Sequence, residues 1–220
     1  MDLQLQYARR FQANSAYRAA VWRILCEDFF QAFIAPDAAV LDLGAGWCEF
    51  INNVRAGQKM ALDLNPDTPL RAAKDVTVFS QDSVREWPVP SDSLDVVFTS
   101  NFLEHLGSKR DVELTLRQAH SRLKPAGLII CLGPNVKFAR AYWDFWDHHL
   151  PISEASLAEA VRMAGFRIEK CRDRFLPFSM SQGRTPPVIA VRLYLRMPFL
   201  WRFFGQQFLV IGRKSPTLVR

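Results

Sequence analysis

The stretch that decides the fold is residues 40–46, VLDLGAG, a short apolar run that ends in two glycines. A run of this length followed by a tight turn predicts a buried strand leading into a helix. Gly44 and Gly46 let the backbone turn sharply and come close to a ligand, and Asp42 offers a carboxylate near the strand end. A GxG turn alone is a weak signal, because a plain strand-to-helix turn uses the same residues.

Strands and helices alternate through the rest of the chain. Helical spacing is present in residues 111–123, which Pro125 and Gly127 end, and in residues 153–165, which Ser153 caps. Besides residues 39–43, the predicted strands are residues 59–64, 76–79, 94–99, 128–132, 166–175 and 207–211. Strands that alternate with helices of about 10–15 residues are typical of βαβ units. The sequence therefore predicts a doubly wound α/β fold with a seven-stranded, mostly parallel sheet.

The composition excludes several classes of protein. Of the 220 residues, 49% are hydrophobic and 23% charged, which is typical of a folded globular chain and excludes a disordered tail or a coiled coil. The four cysteines lie far apart without a C-x-x-C pair, so neither a zinc knuckle nor a disulfide framework is expected, and a reducing compartment fits best. The first residues have no apolar run typical of a signal peptide, and no uncharged apolar run approaches the roughly 20 residues of a membrane span.

Two more acids lie at the end of the second predicted strand and after the third. Asp63 comes 17 residues after Gly46, where a carboxylate can bind both hydroxyls of a ribose. Asp82 follows the third strand and can accept a hydrogen bond from an adenine amino group. Nicotinamide binding is disfavoured, because Glu49 occupies the third glycine position of G-x-G-x-x-G and a pyrophosphate would meet Asp42 and Glu49. A cationic, phosphate-free nucleoside cofactor fits these acids better.

Five motifs in this order and spacing resemble a known family. They are VLDLGAGWCEF (40–50), ALDLNPD (61–67), SQDSV (80–84), LDVVFTSNFLEHL (94–106) and LKPAGLIICLGPN (123–135). Together they resemble the S-adenosylmethionine-dependent methyltransferases that have a Rossmann-like seven-stranded sheet and act on small molecules or glycans. The resemblance covers about residues 38–175. It implies S-adenosylmethionine as the cofactor.

The resemblance also implies which residues hold the methionine portion of the cofactor. Gly44 and Gly46 are expected to line it, and Asp42 is expected near its ammonium group. The family often has a third glycine where this chain has Cys48, so the chain departs from the pattern at that position.

The nucleoside portion is assigned in the same way. The resemblance implies that Asp63, with Leu64 beside it, holds the ribose, and that Asp82 and Ser83 border the adenine. Asn101, just past the fourth strand, is expected to flank the sulfonium and the acceptor.

Three histidines are candidates for catalysis. His105 lies one turn beyond Asn101, where it can act as a base or merely order the loop. His148 and His149 end an unusual segment, YWDFWDHH (142–149), which holds four aromatic residues. This segment is either a wall of the acceptor site with a histidine base or an aromatic minicore that caps the sheet.

The same segment also allows a metal. Asp144, Asp147 and His148 have the spacing of ligands on one face of a helical turn. No distant cluster of cysteine or histidine supplies further ligands, so we predict no metal site.

The predicted chain is one methyltransferase domain with four parts: an N-terminal helical lid (1–35), a cofactor-binding core (38–175), an insertion (177–205) and a last strand (206–214). Residues 162–220 hold twelve basic residues and two acidic ones, which favours a polyanionic partner or a solvated basic face. The insertion contains VIAVRLYLRMPFLWRFFG (188–205). It is either a helix folded over the sheet edge or a surface for the membrane interface or a lipid-linked anionic acceptor.

The predicted function is methyl transfer to an oxygen or nitrogen atom of a small molecule or a glycan, in the cytoplasm or peripherally at the inner membrane face. The segments YWDFWDHHLPIS (142–153) and RFLPFS (174–179) are similar to those of bacterial methyltransferases of surface-polysaccharide biosynthesis. Two alternatives stay open. A nucleic-acid methyltransferase would suit the basic C-terminus but lacks the N/D-P-P-Y/F sequence, where this chain has TSNF (99–102). A cofactor-binding protein without transfer activity is the other.

Overall fold

A computed structural model describes residues 15–177 and 185–215, which form one seven-stranded sheet with helices on both faces. The strands are β1 (Ala39–Leu43), β2 (Gln58–Leu62), β3 (Val76–Phe79), β4 (Leu94–Ser100), β5 (Leu123–Pro134), β6 (Phe166–Arg172) and β7 (Gln207–Lys214). Their order across the sheet is β3-β2-β1-β4-β5-β7-β6, and β7 runs antiparallel to both of its neighbours. The predicted mostly parallel α/β fold is confirmed.

Two of the described α-helices begin at a serine whose side chain caps them. The described α-helices are α1 (Ser15–Asp28), α2 (Glu49–Asn53), α3 (Thr68–Arg71), α4 (Lys109–Arg122), α5 (Glu154–Met163), α6 (Val188–Leu195) and α7 (Trp201–Phe204). At the start of α5, the Ser153 hydroxyl accepts from the Ser156 amide at 3.2 Å, and the Ser156 hydroxyl accepts from the Ser153 amide at 3.0 Å. This reciprocal pair satisfies two amides that a helix start leaves without partners, as the cap predicted at Ser153 requires.

The junction of α4 and β5 differs from the prediction. The helix ends at Arg122 and the strand begins at Leu123, so Pro125 and Gly127 lie inside β5 instead of ending the helix. Proline has no amide to donate to a neighbouring strand. The strand accepts it because the pairing of β4 with β5 shifts register between Leu94 and Val96, where the ladder is interrupted.

The two ends of the chain contribute helices to one face. Within the predicted N-terminal helical segment (1–35), the described residues form α1 followed by a short 3-10 helix, Phe30–Phe33; residues 1–14 lie outside the described ranges. The insertion forms α6, a 3-10 turn and α7, and residues 178–184 lie outside the description. Arg192 of α6 forms an ion pair with Asp28 of α1 at 2.8 Å, so these two helices are joined to each other. The division into lid, core and insertion stays a prediction.

Two apolar layers hold the sheet. On one face, the rings of Phe50 and Phe98 stack with centroids 3.6 Å apart, and Trp22 and Phe30 pack edge-on against them beneath α1, α2 and α6. On the other face, α4 and α5 pack through residues such as Leu116. A sheet covered on both faces explains why β1 is buried along its whole length.

The topology places the site. The strand order reverses between β1 and β4, so the loops after these strands diverge and leave a crevice at their carboxyl ends. β6 runs parallel to β5, because both are antiparallel to β7, and its carboxyl end lies at the same edge. In the part of the chain that the structure describes, no helix is long and apolar enough to cross a membrane.

Candidate functional site

The loop after β1 turns in the conformation that its glycines permit. Gly44 has φ +69° and Gly46 has φ +50°, and Cys48, where the family often has glycine, also has a positive φ of +60°. A Cβ added at Gly44 would collide with the ring of Phe102. The loop therefore needs glycine at 44 for its dihedral angles and for the close approach of that ring.

Thr68, at the start of α3, braces this loop. Its hydroxyl donates to the Gly46 carbonyl at 2.8 Å, and the Cys48 thiol lies 3.6 Å from the Thr68 carbonyl. Thr68 and Cys48 are fully buried. These contacts hold Cys48 in a conformation that costs a non-glycine residue about 1 kcal/mol or more. The departure from the glycine pattern is thus accommodated by side chains on α3.

Asp63 joins the first two strand ends. One of its carboxylate oxygens accepts from the Gly46 amide at 2.6 Å, and the other accepts from the Asn65 amide at 2.7 Å. A carboxylate has about four acceptor positions, so two remain for a ligand such as a ribose diol. The neighbouring Leu64 side chain is 66% exposed and offers an apolar surface beside that carboxylate. This arrangement fits a ribose with an apolar ring above it.

Asp82 and Ser83 follow β3 but point differently. Asp82 is half-buried, and its carboxylate accepts from the Val84 amide at 3.1 Å. Ser83 is buried, its hydroxyl lies 3.0 Å from the hydroxyl of Thr115 on α4, and its carbonyl accepts from the Trp87 indole at 2.8 Å. The Ser83 side chain therefore faces the α4 layer, which leaves Asp82 as the side chain at this edge.

Asp42 lies inside β1 and not at its end. Its carboxyl is 4% exposed, faces the α2 side of the sheet and accepts a hydrogen bond from the Ile51 amide. Burial, with smaller contributions from Asp63 and Glu49, raises the pKa of Asp42 well above its usual range. The sequence analysis expected this carboxylate at the strand end, whereas the structure buries it under the start of α2. Its contact with the ammonium group of the cofactor stays a prediction.

Replacing Asp42 with asparagine is expected to flatten the pH dependence of stability. In the unfolded chain Asp42 loses its proton near pH ~3.9, whereas in the folded protein it keeps the proton to a higher pH. The free energy of unfolding therefore falls as the pH rises above about 3.9. The Asp42→Asn protein should therefore lose less stability than the wild type between pH 4 and pH 7 in urea titrations. Asp37→Asn, at an exposed position, is the control and should match the wild-type slope; equal slopes for all three proteins would contradict the burial argument.

Asn101 directly follows β4 and has a positive φ of +49°. The side-chain oxygen of Asn101 accepts a hydrogen bond from the side-chain amide of Gln207 at 2.7 Å, and its side-chain nitrogen donates to the Ser100 hydroxyl at 2.9 Å. Its backbone amide donates to the Leu132 carbonyl at 3.0 Å. These bonds fix Asn101 between the ends of β4 and β5 and the start of β7, so the crevice at the carboxyl edge has a rigid side.

Two of the three candidate histidines meet. The rings of His105 and His148 lie 4.9 Å apart edge to face, and Nδ1 of His105 lies 2.8 Å from the Asp147 carbonyl. His148 is buried between Phe145, which stacks on it, and Tyr142, which packs edge-on. His105 lies at the end of a 3-10 turn, Leu103–His105, that follows β4 closely.

His149 has a different setting. Its side chain is exposed, and its backbone amide donates to the Glu104 carbonyl at 2.8 Å. Asp144 is also exposed, while the segment splits between a buried Tyr142 and an exposed Trp146. The structure thus brings His105 and His148 together and leaves His149 outside that pair. The segment is a minicore on one side and an open aromatic surface on the other.

Comparisons with known proteins decide the family. A family model described as a methyltransferase domain matches residues 12–170. The chain belongs to this methyltransferase family. It is an S-adenosylmethionine-dependent methyltransferase, and S-adenosylmethionine is its cofactor. No curated protein matches it in sequence.

Solved structures share the fold of this methyltransferase. A SAM-dependent methyltransferase from Archaeoglobus fulgidus has a TM-score of 0.69 at 19% identity and covers 97% of this chain and 100% of its own. One from Thermotoga maritima, described as a possible histamine N-methyltransferase, has a TM-score of 0.68 at 17% identity and covers 97% of this chain and 96% of its own. A chain in the complex of the Haloferax volcanii Trm112 activator with a methyltransferase has a TM-score of 0.67 at 18% identity and covers 98% of this chain and 99% of its own. At these identities the likeness concerns the fold.

The described residues fit this cofactor. Asp63 keeps two acceptor positions at the edge where the ribose is expected, and the Gly44–Gly46 turn beside it has the positive φ angles that glycine permits. S-adenosylmethionine supplies an electrophilic methyl group on a sulfonium. The protein has to align an acceptor with that methyl group and exclude water. Asn101 directly follows β4, and His105, whose ring contacts that of His148, ends the 3-10 turn after it.

Proposed function

We propose that this methyltransferase modifies an oxygen or nitrogen atom of an anionic small molecule or glycan, in a lipid-linked form at a membrane surface. The observation that carries the proposal is a cavity of about 850 Å³ at the carboxyl end of β6. It is lined by Phe138, Arg172, Asp173, Arg174, Pro198, Phe199, Trp201, Arg202 and Phe203. Three guanidinium groups against one carboxylate favour a negatively charged ligand, and the aromatic rings favour a sugar or another planar face.

The cavity is built by contacts between separate elements. The guanidinium of Arg174 lies 3.9 Å from the ring centre of Phe138 and donates to the Arg202 carbonyl at 2.7 Å. Trp201 is half-buried against Phe29 and Phe175, so it belongs to the core margin as well as to the cavity wall. Contacts to other elements thus hold Arg174 and Trp201 in the wall, whereas Phe199 and Phe203 are more than half exposed.

The cavity is next to the methyl-transfer edge. The Leu176 carbonyl, two residues past Arg174, accepts from the Gln207 amide at 2.9 Å. The Gln207 side chain in turn bonds to Asn101. An acceptor whose anionic part lies in the cavity would therefore extend toward Asn101 across the start of β7.

The exposed face of α6 and α7 supports the lipid-linked form. It carries large apolar side chains that are more than half exposed: Ile189, Leu193, Phe199, Phe203 and Phe204. Arg196, also exposed, lies among them. Apolar side chains combined with arginines suit the boundary between headgroups and acyl chains.

The basic C-terminal segment presents less free charge than its sequence indicates. Of the ten basic residues of this segment that the structure describes, four form ion pairs, and three of these, Arg192, Arg213 and Lys214, pair with acids at 2.8, 2.5 and 2.7 Å. The fourth, Arg167, pairs with Glu169 at 3.1 Å. Three of the six other described basic residues, Arg172, Arg174 and Arg202, line the cavity, which favours a compact anionic acceptor over a nucleic-acid backbone that would need an extended basic surface.

An acceptor panel tests the proposal. Labelled S-adenosylmethionine is supplied with a nucleoside diphosphate sugar, a polyprenyl pyrophosphate sugar, a neutral glycoside and transfer RNA, and labelled products are identified by mass spectrometry. We expect label in the anionic sugars, and a Km for them at least tenfold higher in Arg202→Glu, because charge reversal in the cavity repels the phosphate. Arg196→Glu, outside the cavity, is the control with the nucleotide sugar. Label in transfer RNA or equally in the neutral glycoside would overturn the proposal.

Vesicle sedimentation tests the membrane surface separately. The full chain should sediment with vesicles of anionic phospholipid and not with neutral ones, and high salt should release it, since each basic residue near the surface contributes about 1 kcal/mol. Phe203→Ser with Phe204→Ser should reduce sedimentation. Trp146→Ser removes an even more exposed aromatic side chain elsewhere and should not. Equal recovery with both vesicle types would show that the acceptor is not presented by a membrane.

Substitution of His148 should slow methyl transfer to the acceptor found in the panel. A positioned base contributes about 10²–10⁴-fold, so His148→Asn should lower kcat at least tenfold with little change in cofactor affinity. His149→Asn is the matched control, because the neighbouring ring is exposed and outside the pair. The expectation fails if the two variants have the same rate.

A further inference from the structure

Glu104 is a buried carboxyl that the methyl-transfer site does not require. It is 2% exposed, and its Oε1 has no hydrogen-bond partner among the described residues. A buried carboxyl oxygen without a hydrogen-bond partner is costly unless a cation or a proton satisfies it. The side chains around Glu104 therefore indicate which cation it could bind.

Two imidazoles face this carboxyl. Glu104, His105 and His148 each offer a ligand atom, and these three atoms lie within 4.8 Å of one another. Ligands of a tetrahedral zinc ion, with bonds of about 2.0–2.1 Å, lie roughly 3.4 Å apart, so a small inward movement of side chains would complete the contact. Within residues 15–177 and 185–215, no other group of three such side chains comes this close.

We propose that Glu104, His105 and His148 form a site for a divalent transition-metal ion, with Zn²⁺ as the ion that fits best. Two histidines and one glutamate are a ligand set of zinc sites that keep a position open for substrate or water. The absence of cysteine from the set disfavours a closed structural site.

The residues around the cluster hold the ligands as metal sites usually do. Nδ1 of His105 lies 2.8 Å from the Asp147 carbonyl, an arrangement that orients the ring and leaves Nε2 for the ion. The rings of Phe145 and Tyr142 fix His148. The side chains of His105 and Asp147 are 28% and 23% exposed, which gives an ion a path from solvent.

The site would act on the acceptor. An ion with an open position would lower the pKa of a bound acceptor hydroxyl, so that its proton would pass to solvent water and no separate protein base would be needed. His105 and His148 would then contribute as ligands to the activation assigned to them above. Metal binding does not depend on the identity of the acceptor, and it can be measured without methyl transfer.

Titration of the chelator-treated full chain with Zn²⁺ and Co²⁺ tests the site. Cys171, the exposed thiol, is replaced by serine in every protein to remove a competing ligand. We expect one Zn²⁺ per chain, absorption bands of Co²⁺ with fewer than six ligands, and no comparable binding of Mg²⁺. Glu104→Gln and His105→Asn should each weaken Zn²⁺ binding at least tenfold, while His149→Asn should bind as the parent does.

Two results would overturn the metal site: no saturable Zn²⁺ binding, or equal binding in the parent, Glu104→Gln and His105→Asn. Circular dichroism confirms that each variant is folded, and titration with S-adenosylmethionine serves as a second reference. A protein that binds S-adenosylmethionine but not Zn²⁺ leaves the proposed acceptor untouched and removes the metal. Since His148 is buried, its variant is used only in support of the other two.

Discussion

Replacing Gly44 with alanine is expected to weaken binding of S-adenosylmethionine more than any other single change in the loop after β1. A Cβ at this position collides with the ring of Phe102, and the positive φ of +69° costs a non-glycine residue about 1–2 kcal/mol. Either the ring or the loop must move, and both lie at the crevice. We expect an affinity at least tenfold lower by titration calorimetry, together with a lower midpoint of thermal unfolding.

A second substitution separates the two causes. Phe102→Ala removes the ring that blocks the Cβ, so Gly44→Ala with Phe102→Ala should recover part of the lost stability. Gly107→Ala is the control, because a Cβ there meets only the Asp111 side chain at an ordinary 3.4 Å and φ is not positive. An unchanged affinity in Gly44→Ala would mean that the cofactor does not approach this turn.

Replacing Asp63 with alanine is the second change with a large expected effect. It removes the acceptor proposed for the ribose hydroxyls, and hydrogen bonds to a charged group contribute about 1.5–3 kcal/mol. It also releases the amides of Gly46 and Asn65, which the carboxylate holds at 2.6 and 2.7 Å. The affinity for S-adenosylmethionine should therefore fall by about one to two orders of magnitude, measured by calorimetry at constant pH.

The control for Asp63 lies four residues away. Asp67 precedes α3, and its side chain makes no capping hydrogen bond, so Asp67→Ala keeps the loop contacts. Its affinity should equal that of the wild type. If Asp63→Ala binds the cofactor as well as Asp67→Ala does, the ribose contact must be made by another residue.

The fold could be predicted because its signals are local. Short apolar strands, their turns and the Ser153 cap each depend on a few adjacent residues, and βαβ handedness arranges them in one way. The start of β5 could not be predicted in this manner. Pro125 and Gly127 normally end a helix and do not continue a strand, and the register shift in β4 that accommodates them is a long-range feature.

The site was predictable where strands deliver residues to one edge. Asp63 and Asp82 follow parallel strands, so their approach to one crevice follows from the topology. Asp42 differs because it lies between two leucines of a strand buried on both faces, so its side chain points into the α2 layer and not beyond the strand end. The alternation of side chains along the strand already places Asp42 on the opposite face of the sheet from Leu41 and Leu43.

Other residues of the site leave no local signal. Phe102 over Gly44 and Gln207 on Asn101 are contacts between segments about 60 and 106 residues apart, and a sequence pattern does not encode them. His148 and His149 are adjacent in an irregular segment, where no periodicity indicates which ring turns inward. The structure separates them through the packing of Tyr142 on one ring.

Calorimetric titration of the wild-type chain with S-adenosylmethionine and, separately, with NADH tests most directly the claim that acids at the strand ends select a cationic, phosphate-free nucleoside. Asp63 presents its carboxylate at the crevice, and Glu49 stands at the start of α2, where a pyrophosphate would need to bind. We predict saturable binding of one S-adenosylmethionine per chain and no heat of binding with NADH. Micromolar binding of NADH without binding of S-adenosylmethionine would contradict the account.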